Sequence, residues 1–64
     1  MKTVYYEVEE ESEPNIWEPL TYGNEGAIKH PSAISAIGEQ KWAEQVWPSV
    51  RYRVVMVERR TIQQ

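Results

Sequence analysis

The chain predicts an α+β domain: a three-stranded, mostly antiparallel sheet covered by one helix. Three observations lead there. A segment near each end alternates apolar and polar residues with period two, as half-buried strands do. Between them, apolar residues recur with helical spacing up to a Trp-Pro stop. A weaker extended piece with an internal proline follows the first strand.

The first strand spans Thr3 to Glu9, with Val4, Tyr6 and Val8 on one face and Thr3, Tyr5, Glu7 and Glu9 on the other. Glu9, Glu10, Glu11 and Glu13 repel one another, and Pro14-Asn15 favours a turn, so 9–15 is expected to be a loop. Ile16 to Tyr22 reads as a weak second strand, and Pro19 confines it to an edge. Gly23-Asn24-Glu25-Gly26 reads as a turn. Pro31 suits the first position of a helix, with Ser32 as the alternative N-cap. Ile34, Ile37, Gly38, Trp42 and Val46 then share one broad face, which is expected to be buried. Gly38 suggests a break or a close approach, and Trp47-Pro48 stops the helix. The last strand spans Val50 to Arg59. Val50, Tyr52, Val54 and Met56 share one face; Arg51, Arg53, Val55, Val57 and Arg59 share the other. Residues 60–64 read as a frayed tail of a single 1–64 domain.

A right-handed crossover through the helix, over the first strand, gives the order 2-1-3. The first and last strands are then antiparallel neighbours, and Glu7 and Glu9 can face Arg51 and Arg53. Val4 or Tyr6 is expected to pack with Ile34, Ile37, Trp42, Val54 and Met56.

The charge distribution supports that pairing. All ten acids are Glu. Residues 1–26 hold seven of them against Lys2, a net of −6; residues 27–64 hold six bases against three acids, a net of +3; the total is −3. A modest negative charge disfavours general nucleic-acid or anionic-membrane binding. With no Cys and one His, a Cys-based or all-nitrogen metal site within one chain is excluded. With no Asp and no Cys, Ser-His-Asp and Cys-His arrangements are excluded too, and no nucleophile elbow is present. No cofactor is expected, and the chain reads as non-enzymatic. No signal peptide or membrane-length apolar run is visible, so a cytoplasmic location is expected.

Three surfaces are candidates. Glu9, Glu10, Glu11 and Glu13, with Trp17 alongside, suit a partner protein with a basic surface. Arg51, Tyr52, Arg53 and Arg59 would instead suit RNA or single-stranded DNA, through phosphates and stacking. Val55 and Val57, on the arginine face, would serve a homodimer or take cover from the 23–30 loop.

The pattern Val4-Tyr5-Tyr6-Glu7-Val8, Ile16-Trp17-Glu18-Pro19-Leu20, one helix, then Tyr52-Arg53-Val54-Val55-Met56-Val57 resembles many short proteins encoded by bacteriophages. In length and element order it is similar to the small phage inhibitors of host RNA polymerase, and more broadly to phage anti-defence proteins. The resemblance implies a stoichiometric inhibitor or modulator of a host protein, acting in the cytoplasm of a bacterial cell by surface occlusion. A nucleic-acid-binding domain and a structural homo-oligomer are the alternatives.

Overall fold

The computed structural model describes residues 2–60. Its elements are β1 (Lys2–Glu13), β2 (Ile16–Pro19), β3 (Thr21–Tyr22), β4 (Glu25–Ala27), α1 (Ala33–Val46) and β5 (Tyr52–Arg60). The main sheet has the order β2-β1-β5, and both pairings are antiparallel. This is the expected α+β topology, with the chain's first strand in the middle and its last strand beside it. β3 and β4 form a separate two-stranded hairpin.

β1 is longer than the sequence suggested. It continues through Glu9, Glu10, Glu11 and Glu13, where a repelling loop was expected. The reason is that this acidic stretch has partners on both sides. Glu9 lies opposite Arg53 on β5, while Glu9, Glu10 and Glu11 lie opposite Pro19, Glu18 and Trp17 on β2. Ladder hydrogen bonds and arginine countercharges outweigh the like-charge repulsion. Only Pro14-Asn15 remains as a turn. Asn15 adopts φ 66°, a left-handed conformation that Asn tolerates better than most residues. A bulge between Glu11 and Glu13 accommodates it. The Asn15 N–H donates to Glu11 Oε2 at 2.9 Å.

The second edge of β1 is covered piecewise. Beyond β2, the Leu20 N–H donates to the Val8 carbonyl at 2.9 Å. Further on, Tyr6 and His30 exchange two backbone hydrogen bonds of 2.8 Å. The segment before the helix is therefore fixed to the central strand.

Ser32, the alternative cap, is the N-cap: its Oγ accepts from the Ser35 N–H at 3.3 Å. Trp47 is the C-cap, as the Trp-Pro stop predicts. The helix runs unbroken through Gly38, and nothing lies within 4 Å of the position a Cβ would take there.

The expected helix face is corrected. Ala36 and Ala43 are fully buried, whereas Ile34 is 83% exposed, and Ile37, Trp42 and Val46 are also exposed. Small alanines let the helix lie close on the sheet; the larger apolar residues sit on its flanks and outer side. The core is Val8, Leu20, Ala36, Ala43 and Tyr52, with Tyr6, Tyr22, Val50 and Val54 packed against it. Of the expected core, Tyr6 and Val54 take part. Val4 and Met56 do not: Met56 is 59% exposed. A helix of 14 residues is about 21 Å long, while β1 with 12 spans about 40 Å. The helix cannot cover the whole ribbon.

The tail expected at 60–64 begins inside β5, since Arg60 is its last residue; 61–64 lie outside the described residues.

Candidate functional site

The sheet face away from α1 gathers residues from three strands. Alternation puts Tyr5, Glu7, Glu9 and Glu11 of β1 there, with Arg53, Val55 and Val57 of β5. Trp17 lies directly across from Glu11 on β2, and the Glu11 N–H donates to the Arg51 carbonyl at 2.9 Å on the other side. Trp17, Glu11 and Arg51 thus form one row across the sheet. Pro19, Glu9 and Arg53 form the next.

Across these rows the side chains interlock. Arg53 Nε and Nη2 both approach Glu9 Oε1 at 2.7 Å. Arg51 Nη1 lies 3.4 Å from Glu11 Oε1. Both guanidinium groups also lie over the half-buried Trp17 ring, Arg53 at 4.4 Å and Arg51 at 5.9 Å from its centroid. Each arginine therefore has a carboxylate and an aromatic face as partners.

The two surfaces read separately from the sequence are thus largely one. Glu9, Glu11, Trp17, Arg51 and Arg53 come together. Four candidates fall elsewhere. Glu10 has the opposite side-chain parity and faces the helix side, where it lines a cavity. Tyr52 is buried on that same side, in the core, away from the arginines. Glu13 is exposed at the hairpin end. Arg59 is exposed, opposite Thr3. Val55 and Val57 are half-buried on the helix-free face, opposite Glu7 and Tyr5. Tyr5 is itself buried there, with Lys29 Nζ 5.5 Å from its ring centroid.

A second cluster, not expected from the sequence, lies on the helix side. Glu39 of α1 accepts from the Tyr22 hydroxyl at 2.5 Å through Oε2 and meets His30 Nε2 at 2.6 Å through Oε1. The His30 and Glu39 side chains are 12% and 7% exposed. Burial, then the hydrogen bond to Glu39 and its charge, push the Tyr22 hydroxyl well above its ordinary value of 10.0. Tyr22 therefore stays a donor at neutral pH. The cluster ties the helix, the β3–β4 hairpin and the His30 bridge to β1 at one point. A cue lay in His30, the single imidazole, placed just before the helix that carries Glu39.

Trp42 packs against Tyr22 at 6.0 Å and edge-on against Trp47 at 5.6 Å. Trp47, with Glu10, Leu20, Thr21, Val50 and Tyr52, lines an open cavity of about 210 Å³. This is below the roughly 300 Å³ at which small-molecule sites begin. Burial and the charges of Glu10 and Glu44 raise the Tyr52 hydroxyl pKa. Among the described residues, no group of three or more His, Asp, Glu or Cys could hold a metal ion, and no helix is long and apolar enough to cross a membrane.

No family model, curated protein or solved structure matches this chain.

Proposed function

We propose that this chain is a non-enzymatic protein-binding module that acts by occluding a partner's surface. One observation carries the reading: Trp17 lies beneath Arg53 and Arg51 on the helix-free face, and both arginines are matched by Glu9 and Glu11. Trp and Arg are the residues most enriched among interface hot spots. Arginines already paired with carboxylates can be covered by a partner without leaving an uncompensated charge. Glu7 on the same face and Glu13 at the hairpin end favour a partner with a basic surface. The resemblance to phage proteins supports a host protein as that partner.

The nucleic-acid reading loses support from the same geometry. Arg51 and Arg53 are engaged by carboxylates that would repel phosphate, and Tyr52 lies on the opposite side.

The test uses the chain as bait in a bacterial lysate. Trp17→Ala and Arg53→Ala should lose a captured protein that Ile34→Ala, on the outer side of the helix, retains. All three variants should keep the wild-type circular dichroism. Micromolar oligonucleotide binding at about 150 mM salt, lost in Arg53→Ala, would overturn the proposal in favour of nucleic acid.

A further inference from the structure

The helix side of the sheet carries a row that the Trp17 cluster does not use. Glu10 lies opposite Glu18 on β2 and opposite Tyr52 on β5, so all three side chains turn to the face that α1 covers. Glu10 and Tyr52 line the open cavity of about 210 Å³, with Leu20, Thr21, Val50 and Trp47. Like charges directly opposite one another, as Glu10 and Glu18 are, destabilise a sheet. Nothing basic lines the cavity to offset them. Arg51 and Arg53 are held on the other face by Glu11 and Glu9, and Lys29 lies over Tyr5. Among the described residues, Glu10 and Glu18 have no ion pair.

Tyr52 supplies a second, independent observation. It is only 8% exposed, and the hydrogen bond it receives from Gln40 is at its carbonyl. Its hydroxyl has no partner among the described residues. No fully buried side-chain oxygen or nitrogen is left unpaired there, so this hydroxyl keeps some exposed surface, and the cavity is what Tyr52 lines. Burial, then the charges of Glu10 and Glu44, raise the pKa of that hydroxyl, so both carboxylates act on it.

We infer that this cavity binds an alkylammonium group, the head and stem of a lysine side chain or of a free primary amine. The size suits a group of that scale and not a nucleotide or a larger ligand. Leu20 and Val50 suit the apolar stem, which long cationic side chains bury readily. Trp47 offers an aromatic surface to the cationic head. The Glu10 carboxylate and the Tyr52 and Thr21 hydroxyls are three separate acceptors, matching the three donors of an ammonium. A guanidinium would instead seek one carboxylate in a planar, two-pronged pairing. The cavity lies on the opposite face from Trp17, so the inference does not depend on what Trp17 meets.

The test is a titration of the whole chain followed by NMR, reading the Trp47 indole N–H and the Thr21 and Tyr52 amides. n-Butylammonium should shift all three in a saturable way, with an affinity in the millimolar range. The isosteric neutral alcohol n-butanol should bind at least tenfold more weakly. A blocked Gly-Lys-Gly peptide separates the two sources. Binding tighter than that of n-butylammonium assigns the cavity to a protein lysine; weaker binding assigns it to a free amine. Glu10→Gln should lower the affinity roughly tenfold or more, the scale of a charge-assisted hydrogen bond, and keep the wild-type circular dichroism. Should that variant unfold, Trp47→Leu keeps apolar cover and should weaken binding about two- to fivefold. Shifts that do not saturate would overturn the inference. So would n-butanol binding as tightly as n-butylammonium, or a folded Glu10→Gln variant with undiminished affinity.

Discussion

Single residues here act by joining elements, and Glu39 does so most directly. Its two carboxylate oxygens hold Tyr22 and His30, so one helix residue fixes both the small hairpin and the segment bonded to Tyr6. Tyr22→Phe removes a hydrogen bond to a carboxylate and should cost about 1.5–3 kcal/mol in chemical denaturation near neutral pH. The same bond predicts a pH dependence. The folded-state pKa of Tyr22 is raised, so the folded chain holds this proton more tightly than the unfolded chain does. That contribution is fully present below the ordinary value of 10.0 and is lost as pH rises above it. Tyr52, shifted in the same direction, adds to the effect. Denaturation midpoints should therefore be insensitive to these tyrosines up to about pH 9 and fall beyond pH 10. Tyr22→Phe should flatten part of that fall. An equally steep fall in the variant would show that the hydroxyl does not have this role.

At the scale of elements, α1 is the instructive case. Ala36 and Ala43 lie against the sheet with no exposed surface, so enlarging either overpacks the core. Ala43→Leu should cost about 1–3 kcal/mol. Ile34→Ala, at the most exposed apolar position, should change stability by less than about 0.5 kcal/mol. The reverse ranking would restore the helix face expected from the sequence. That face was misread for a physical reason. Apolar side chains lie on nearly every side of this helix, and the largest carry the pattern although the smallest are buried. Strand order was legible because period-two alternation and the opposed charges of Glu9 and Arg53 gave the same answer. The extent of β1 was not: four glutamates read locally as repulsion, and the countercharges of Glu9 and Glu11 lie 44 and 40 residues away. The candidate site was legible in its members but not in its unity. Trp17, Glu9, Glu11, Arg51 and Arg53 were all visible, yet only the register of three strands shows that acidic and basic groups share one face.

Across the whole molecule, the two ends of the chain make the sheet. β1 pairs with β5 from Lys2 opposite Arg60 to Glu10 opposite Tyr52, so its principal partner is the last element to appear. The acidic first part, net −6, is thereby partly offset by the basic second part, net +3. Without β5, the central strand would keep only β2, Leu20 and His30 along one edge, and Tyr52 would be missing from the core. A two-stranded remnant is marginal at best in water. A chain ending at Pro48 should therefore show no cooperative thermal transition, although its helix segment is intact. Adding a synthetic peptide of residues 49–64 should restore a cooperative transition if the two fragments reassemble the β1–β5 ladder. The ion pair adds a finer check on the same ladder. Glu9→Arg or Arg53→Glu alone sets like charges opposite one another and should destabilise the fold, whereas the double exchange should recover about 0.2–1 kcal/mol of coupling. A cooperative transition in the shortened chain, or zero coupling in the exchange, would show that the long-range ladder is not what holds this fold together.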